Sequence, residues 1–202
     1  MTNTTASPQR TWLYVALVFI GFWIVYLSFF APRRRQPLEG LGIDQPAAYN
    51  WTLEDLDEQQ VSFSRFQGKA VFLNVWATWC PPCVREMPSI ARLAAKDHFK
   101  DKNIAFVCVS VDDATETVRR FVRDKNWPMT VLHAHKGALP PVYQTDGIPA
   151  TFIISPAGRI VAAEVGSTDW DRPDVVAFLE KTAAMSASPA ADTSEKGSAT
   201  GK

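Results

Sequence analysis

From Trp12 to Ala31 the chain runs twenty residues without a charge, WLYVALVFIGFWIVYLSFFA. A helix of that length spans about 30 Å, the thickness of a bilayer's hydrocarbon core. The pattern predicts a transmembrane anchor over 12–31, behind a short polar tail at 1–11. Trp12, Tyr14, Trp23 and Tyr26 supply aromatic rings suited to headgroup level. A cleaved signal peptide is the competing reading. Its apolar stretch usually runs only about 7–15 residues and ends at a small-x-small site. Here the run is longer, and Arg33-Arg34-Arg35 follow it instead.

Residues 32–50 contain Pro37, Gly40, Gly42 and Pro46 and read as a linker. The pattern beyond it alternates strands and helices over 51–185. Val61-Ser62-Phe63 alternates as a short strand, and Ala70 to Trp76 is a mostly apolar run suited to a strand buried on both faces. Pro81 to His98 reads as a helix with Val84, Met87, Ile90, Leu93 and Ala94 on one stripe. Strands are expected at 104–111 and 129–132, with a helix over 114–125 between them. Ala150 to Ile154 and Ile160 to Val165 form a hairpin across Pro156-Ala157-Gly158, and a last helix covers 173–185. The expected fold is α/β, a central mixed β-sheet flanked by helices. The tail 186–202 has almost no large apolar residue, so burial cannot offset its chain entropy and it reads as disordered.

Composition changes this picture little. The 202 residues carry 21 basic and 21 acidic side chains, a net charge of zero, so no nucleic-acid partner is expected. Charge placement matters more. Three arginines follow the apolar run and only Arg10 precedes it, which by the positive-inside rule favours a cytoplasmic domain. Long domains translocate despite such local charge, so orientation stays open.

The candidate chemistry lies in Trp79-Cys80-Pro81-Pro82-Cys83. Three cysteines are too few for a disulfide-stapled scaffold, and two of them are three positions apart. Cys80 follows an apolar strand and opens a helix. Unpartnered N–H groups and the helix dipole favour an anion there, which raises the thiolate population. Cys80 is therefore expected as the exposed nucleophile, with Cys83 resolving the mixed disulfide formed on it. Pro81 and Pro82 lack N–H groups, which leaves the Cys83 N–H as the main donor to Cys80 and points to a reducing protein. A zinc site would need two more Cys or His ligands; Cys108 lies mid-strand, and His98, His133 and His135 show no ligand spacing with the pair. A plain structural disulfide is disfavoured by the pair's position between an apolar strand and a helix, next to Trp76 and Trp79. Cys108 reads as a small buried hydrophobe. No metal and no cofactor is implied, because the electrons pass between sulfurs.

The run Lys69-Ala70-Val71-Phe72-Leu73-Asn74-Val75-Trp76-Ala77-Thr78-Trp79-Cys80-Pro81-Pro82-Cys83, followed by Arg85-Glu86-Met87-Pro88, resembles the membrane-anchored thioredoxin-like proteins of the TlpA/ResA group. The likeness runs from about Trp51 to Leu179 and includes Gly147-Ile148-Pro149-Ala150-Thr151-Phe152 and the Gly158 hairpin. It implies a thioredoxin fold and a cis peptide bond before Pro149. It also implies a client-binding surface at Trp79, Ile148 and Pro149, where an extended substrate meets backbone groups. Thioredoxins carry a buried acid in the strand before the active site, but Asn74 stands there. The group often places an acid after the next strand; Asp112 and Asp113 follow Val111 here, and Asp113 is the preferred match, with a helix cap before Ala114 as its other reading. Glu58 stands where a hairpin glycine is common, so that turn is expected to differ.

The resemblance implies a thiol:disulfide oxidoreductase held by its anchor in the bacterial inner membrane. Its domain would face the periplasm or another extracytoplasmic side. Clients would be disulfide-bearing exported proteins, with apocytochrome c the group's best-known one, and electrons would come from a membrane thiol donor. A general thiol–disulfide exchanger with other clients is the alternative. A non-catalytic binding module and a thiol peroxidase share the fold and are disfavoured by the closely spaced, proline-bridged pair.

Overall fold

The structure, a computed structural model, describes residues 8–30, 43–135 and 138–185. The expected C-terminal tail, the arginine triplet and most of the expected linker lie outside the described residues. The chain divides into an N-terminal unit and a globular unit. In the first, Pro8–Phe30 form one helix, α1, of 23 residues. Its described large apolar side chains, from Trp12 to Tyr26, are exposed on that unit. Among the described residues no helix is long and apolar enough to cross a membrane. The side chains of Leu13, Ile24, Val25 and residues 27–30 are outside that described set.

The globular unit holds strands β1 (Gln45–Pro46), β2 (Thr52–Glu54), β3 (Gln60–Ser62), β4 (Ala70–Trp76), β5 (Ile104–Ser110), β6 (Thr130–His133), β7 (Ala150–Ile154) and β8 (Arg159–Val165). Its helices are α2 (Pro81–Ala94), α3 (Thr115–Val122) and α4 (Pro173–Ala183). The strands form one sheet in the order β1-β8-β7-β4-β5-β6-β2-β3. β4 lies at its centre, parallel to β5 and antiparallel to β7, and all seven of its residues are buried. That is why its sequence is apolar almost throughout: a strand covered on both faces has no solvent side to alternate with. β5 and β6 are parallel, and β7 and β8 antiparallel, so the sheet is mixed as expected.

Alternation along the strands sorts the core into two layers. Phe72, Trp76, Phe106, Cys108 and Ile153 face α2, α4 and Val118 of α3. Val71, Leu73, Val75, Val107, Val109 and Phe152 face the opposite way, where no α-helix packs among the described residues. An aromatic layer covers that face instead. Phe63 sits at its centre, with ring centroids 4.9 Å from Trp51, 5.3 Å from Phe66, 5.6 Å from Tyr49 and 6.2 Å from Tyr143. Phe63→Ala should therefore cost about 3–5 kcal/mol, since a fully buried ring leaves a cavity between sheet and hairpin. Urea unfolding followed by tryptophan fluorescence measures this; a loss under about 1 kcal/mol would mean the layer contributes little to the core.

Three local expectations change. The linker does not reach residue 50: Gln45 and Pro46 pair with Ile160 and Arg159, and Ala47, Ala48 and Tyr49 pack on the aromatic layer. The apolar residues there are too few to show a periodicity, so only the pairing partner reveals the strand. The helix expected to reach His98 ends at Ala94. The chain turns there to bury Phe99 against Phe106, at 5.3 Å between centroids. The turn at Glu58 keeps the conformation a glycine would take, φ 63°, which few non-glycine residues adopt. The Asp55 carboxylate fixes it by accepting from the Asp57 and Gln59 N–H groups, each at 2.9 Å.

Candidate active site

β4 ends at Trp76, and Ala77-Thr78-Trp79 carry the chain to α2, whose N-cap is Cys80. Cys80 and Cys83 form a disulfide with Cα atoms 5.3 Å apart. Pro81 and Pro82 fill the first two helical positions, where fixed φ suits the helix and a missing N–H costs little. The first-turn donor that reaches Cys80 Sγ is the Cys83 N–H, at 3.3 Å. The Val84 N–H is already used by the Cys80 carbonyl at 3.0 Å. Both cysteines are buried, against the expectation of an exposed nucleophile. Cys80 retains 4% exposure and Cys83 none, so a client sulfur reaches Cys80 first.

The loop before β7 covers the pair. The Ile148–Pro149 bond is cis, and the Ile148 carbonyl oxygen lies 3.7 Å from Cys80 Sγ. Pro149 is buried, and its carbonyl accepts from the Gly166 N–H at 2.8 Å. Trp79, the residue before Cys80, has 65% of its surface exposed. The structure thus brings together Cys80, Cys83, Trp79, Ile148 and Pro149. An exposed aromatic ring next to a reactive sulfur and a backbone carbonyl suits an extended, partly apolar chain.

The acid near the pair is not Asp113. Asp113 is exposed, and the N-cap of α3 is Ala114, so Asp113 neither faces the cysteines nor caps the helix. The turn after β5 directs Asp112 inward and therefore Asp113 outward. Asp112 is buried; its carboxylate accepts from Thr78 N at 2.9 Å, Thr78 Oγ1 at 2.5 Å and Ser110 Oγ at 2.6 Å. It anchors the turn that presents Cys80.

A second buried acid lies deeper. Glu86 follows Cys83 by three residues, which places both on the inward face of α2. Glu86 Oε1 accepts from Asn74 Nδ2 at 2.9 Å. Its Oε2 accepts from Thr168 N at 3.1 Å and Trp170 Nε1 at 3.2 Å. Burial raises its proton affinity above the usual carboxylate value, and the three N–H donors only partly oppose this. Asn74 also donates to Thr151 Oγ1 at 2.9 Å, so it holds the acid against the strand that follows the cis loop. The strand position that carries an acid in thioredoxins here positions an acid supplied by the helix. Cys108 pairs with Asn74 across the sheet; burial first, then the charge of Glu86, pushes its thiol up, so it stays protonated and inert.

Glu86 escaped the sequence reading, although its signal was present. Positions 83, 86, 87 and 90 form one inward helical stripe, and an acid in such a stripe is out of place. No sequence signal marked Asp112 over Asp113. Among the described residues no group of three or more His, Cys, Asp or Glu side chains could hold a metal ion.

The chain is similar to known thiol–disulfide oxidoreductases. The AhpC/TSA family model matches residues 44–163, more than half of the chain. Thiol-disulfide oxidoreductase ResA of Bacillus subtilis (strain 168) is 32% identical over 160 residues, covering 78% of this chain and 84% of that one. A ResA of Bacillus cereus is 30% identical over 164 residues, covering 80% and 87%. Among solved structures, a chain assigned as the thiol:disulfide interchange protein DsbE of Chlorobium tepidum superposes with a TM-score of 0.57 at 29% identity, covering 71% of this chain and 96% of that one. A thioredoxin family thiol:disulfide interchange protein of Chlorobium tepidum TLS gives 0.54 at 25% identity, covering 67% and 97%. The likeness carries the thioredoxin-like fold, a mixed sheet with flanking helices, and thiol–disulfide chemistry.

Proposed function

The chain belongs to the AhpC/TSA family and is a thiol-disulfide oxidoreductase, and on that premise we propose that it is a membrane-anchored reductant of disulfides in exported proteins. The observation that carries the redox direction is the doubly proline-blocked first turn of α2. With Pro81 and Pro82 unable to donate, the Cys83 N–H alone in that turn reaches Cys80 Sγ. A less stabilised thiolate favours the disulfide form of the protein and so makes its dithiol a better reductant.

Reduced Cys80 attacks one sulfur of the client disulfide and displaces the other as a thiolate. Cys83 then attacks Cys80 Sγ, which releases the second client thiolate and leaves the Cys80–Cys83 disulfide. The Glu86 carboxylate accepts the Cys83 thiol proton as that attack begins. Trp79 and the Ile148 carbonyl hold the client chain beside Cys80. A membrane thiol donor returns two electrons and closes the cycle. Clients with a C-x-x-C-H haem site, such as apocytochrome c, are the class we favour, because their paired cysteines need reduction before haem attachment.

The anchor is part of the proposal. α1 and the twenty uncharged residues at 12–31 support a single span of the bacterial cell membrane. We place the domain on the extracytoplasmic side, where disulfide-bearing clients occur. The arginines at 33–35 oppose this, and a domain of this size can translocate in spite of them.

Trapping tests both points. Full-length Cys83→Ser should accumulate mixed disulfides on Cys80, and mass spectrometry should find exported proteins in them. In intact spheroplasts a membrane-impermeant maleimide should label reduced Cys80. Cytosolic clients together with label only after lysis would overturn the location. A reduction potential above about −150 mV would overturn the reductant reading, and rapid peroxide consumption would favour a peroxidase.

A further inference from the structure

A chain of hydrogen bonds runs from the edge hairpin to the active-site turn through a fully buried histidine. His133 has no exposed surface. Its Nδ1 lies 2.7 Å from Thr115 Oγ1, and that hydroxyl lies 2.8 Å from Glu54 Oε2. On the other side, His133 Nε2 lies 2.7 Å from the backbone carbonyl oxygen of Asp112. The Asp112 carboxylate holds both the N–H and the hydroxyl of Thr78, two residues before Cys80. Glu54 and His133 are also the register pair through which β2 joins β6.

The protons in this chain can be counted. A carbonyl oxygen has none to give, so Nε2 carries a proton and donates it to Asp112. Thr115 has one hydroxyl proton and two close partners. It can donate to only one, and the other must donate to it. That second proton sits on Nδ1 or on Glu54. Glu54 lies at a partly exposed sheet edge, and the Thr115 bond, against the opposing effect of burial, holds its carboxyl below its usual range, so it is ionised. The proton therefore falls to Nδ1.

We propose that His133 is a buried imidazolium that serves the Cys80–Cys83 reaction as a positioning residue, acting through Asp112 and Thr78. The charged and titratable groups around it are Glu54 from β2, Asp112 from the loop after β5, and His135 just beyond β6 at 6.3 Å between ring centroids. α3 faces it with the neutral Thr115. The cation offsets the charge of Asp112, the buried acid that holds Thr78 two residues before Cys80. Without it, that charge disfavours the Cys80 thiolate. The inference rests on the cysteine chemistry alone and not on the client or the membrane side.

The test uses the full-length protein in detergent micelles, reduced and labelled with ¹⁵N-histidine. The chain has only three histidines, so the ring signals are separable. At neutral pH His133 should show both ring nitrogens protonated. The pH profile of Cys80 alkylation by iodoacetamide should shift upward in His133→Gln, by about half a pH unit or more. Glu54→Gln, at a partly exposed sheet edge, removes the counter-charge without opening the core. It should abolish the doubly protonated signature and move the Cys80 profile the same way. A singly protonated ring in the parent protein overturns the proposal, and so does an unchanged Cys80 profile in Glu54→Gln. If His133→Gln fails to fold, the Glu54→Gln result and the ring signature decide.

Discussion

Cys80→Ser abolishes disulfide reduction, with insulin turnover falling by more than about three orders of magnitude. Serine keeps the N-cap hydrogen bond and the size of the side chain, so α2 is preserved. What disappears is the thiolate and its capacity to bond to sulfur. Cys83→Ser also stops turnover, by a different route. Cys80 remains able to attack, but the mixed disulfide has no internal thiol to resolve it, so the first encounter proceeds and the second step does not. Exposure makes the assignment unequal: Cys80 retains some surface beside Trp79 and the Ile148 carbonyl, whereas Cys83 has none. Rapid-mixing kinetics with a chromogenic disulfide checks this. A burst of one equivalent in Cys83→Ser and none in Cys80→Ser is expected. The reverse pattern would exchange the two roles.

Glu86→Gln slows resolution of the mixed disulfide by about 10²-fold at neutral pH, while the first attack by Cys80 changes little. The side chain is the buried base on the Cys83 face of α2, and glutamine cannot accept the thiol proton. Glutamine fits the site: Asn74 can rotate its amide and present Oδ1, which has no hydrogen-bond partner in the parent protein, to the new N–H. Stability at acid pH should therefore change by less than about 1 kcal/mol. The pH dependence carries the sign. Burial raises the folded proton affinity of Glu86 above the ordinary carboxylate value of 4.5. Below that value both states hold the proton and the group contributes nothing. As pH rises between the unfolded and folded values, the folded state binds more protons than the unfolded state, so stability falls. Glu86→Gln removes that decline, and urea titrations across the acid range should show the variant gaining on the parent as pH increases. An unchanged slope would place the proton elsewhere, with Asp112 the next candidate.

Much of this site was legible from the chain. Ala70–Trp76 is a strand with the limits its apolar run suggested, because a strand covered on both faces writes its burial into every residue. The cysteine pair sits where a strand-to-helix turn was expected, and the cis bond before Pro149 matches the resemblance. The choice between Asp112 and Asp113 was not legible. Two adjacent acids differ only in which one the turn after β5 directs inward, and that depends on Thr78 and Ser110 as partners. Glu86 was half legible: its helical phase marked it as buried, but its donors Asn74, Thr168 and Trp170 come from 12, 82 and 84 residues away.

The sequence by itself determined the local chemistry. It set the C-x-x-C spacing, the N–H groups missing at Pro81 and Pro82, the helix that opens on Cys80 and the order of strands and helices, since each follows from spacing within a few residues. Only the tertiary structure decided the polar environment of the pair. A buried hydrogen bond joins whichever donors and acceptors the sheet brings within about 3 Å, however distant in sequence. Pairing β4 with β5 and β7, and β5 with β6, put Asn74 on Thr151, Asp112 on Thr78 and His133 on Asp112, and packing α2 on β4 put Glu86 on Asn74. Those contacts govern where protons and charge reside around Cys80 and Cys83.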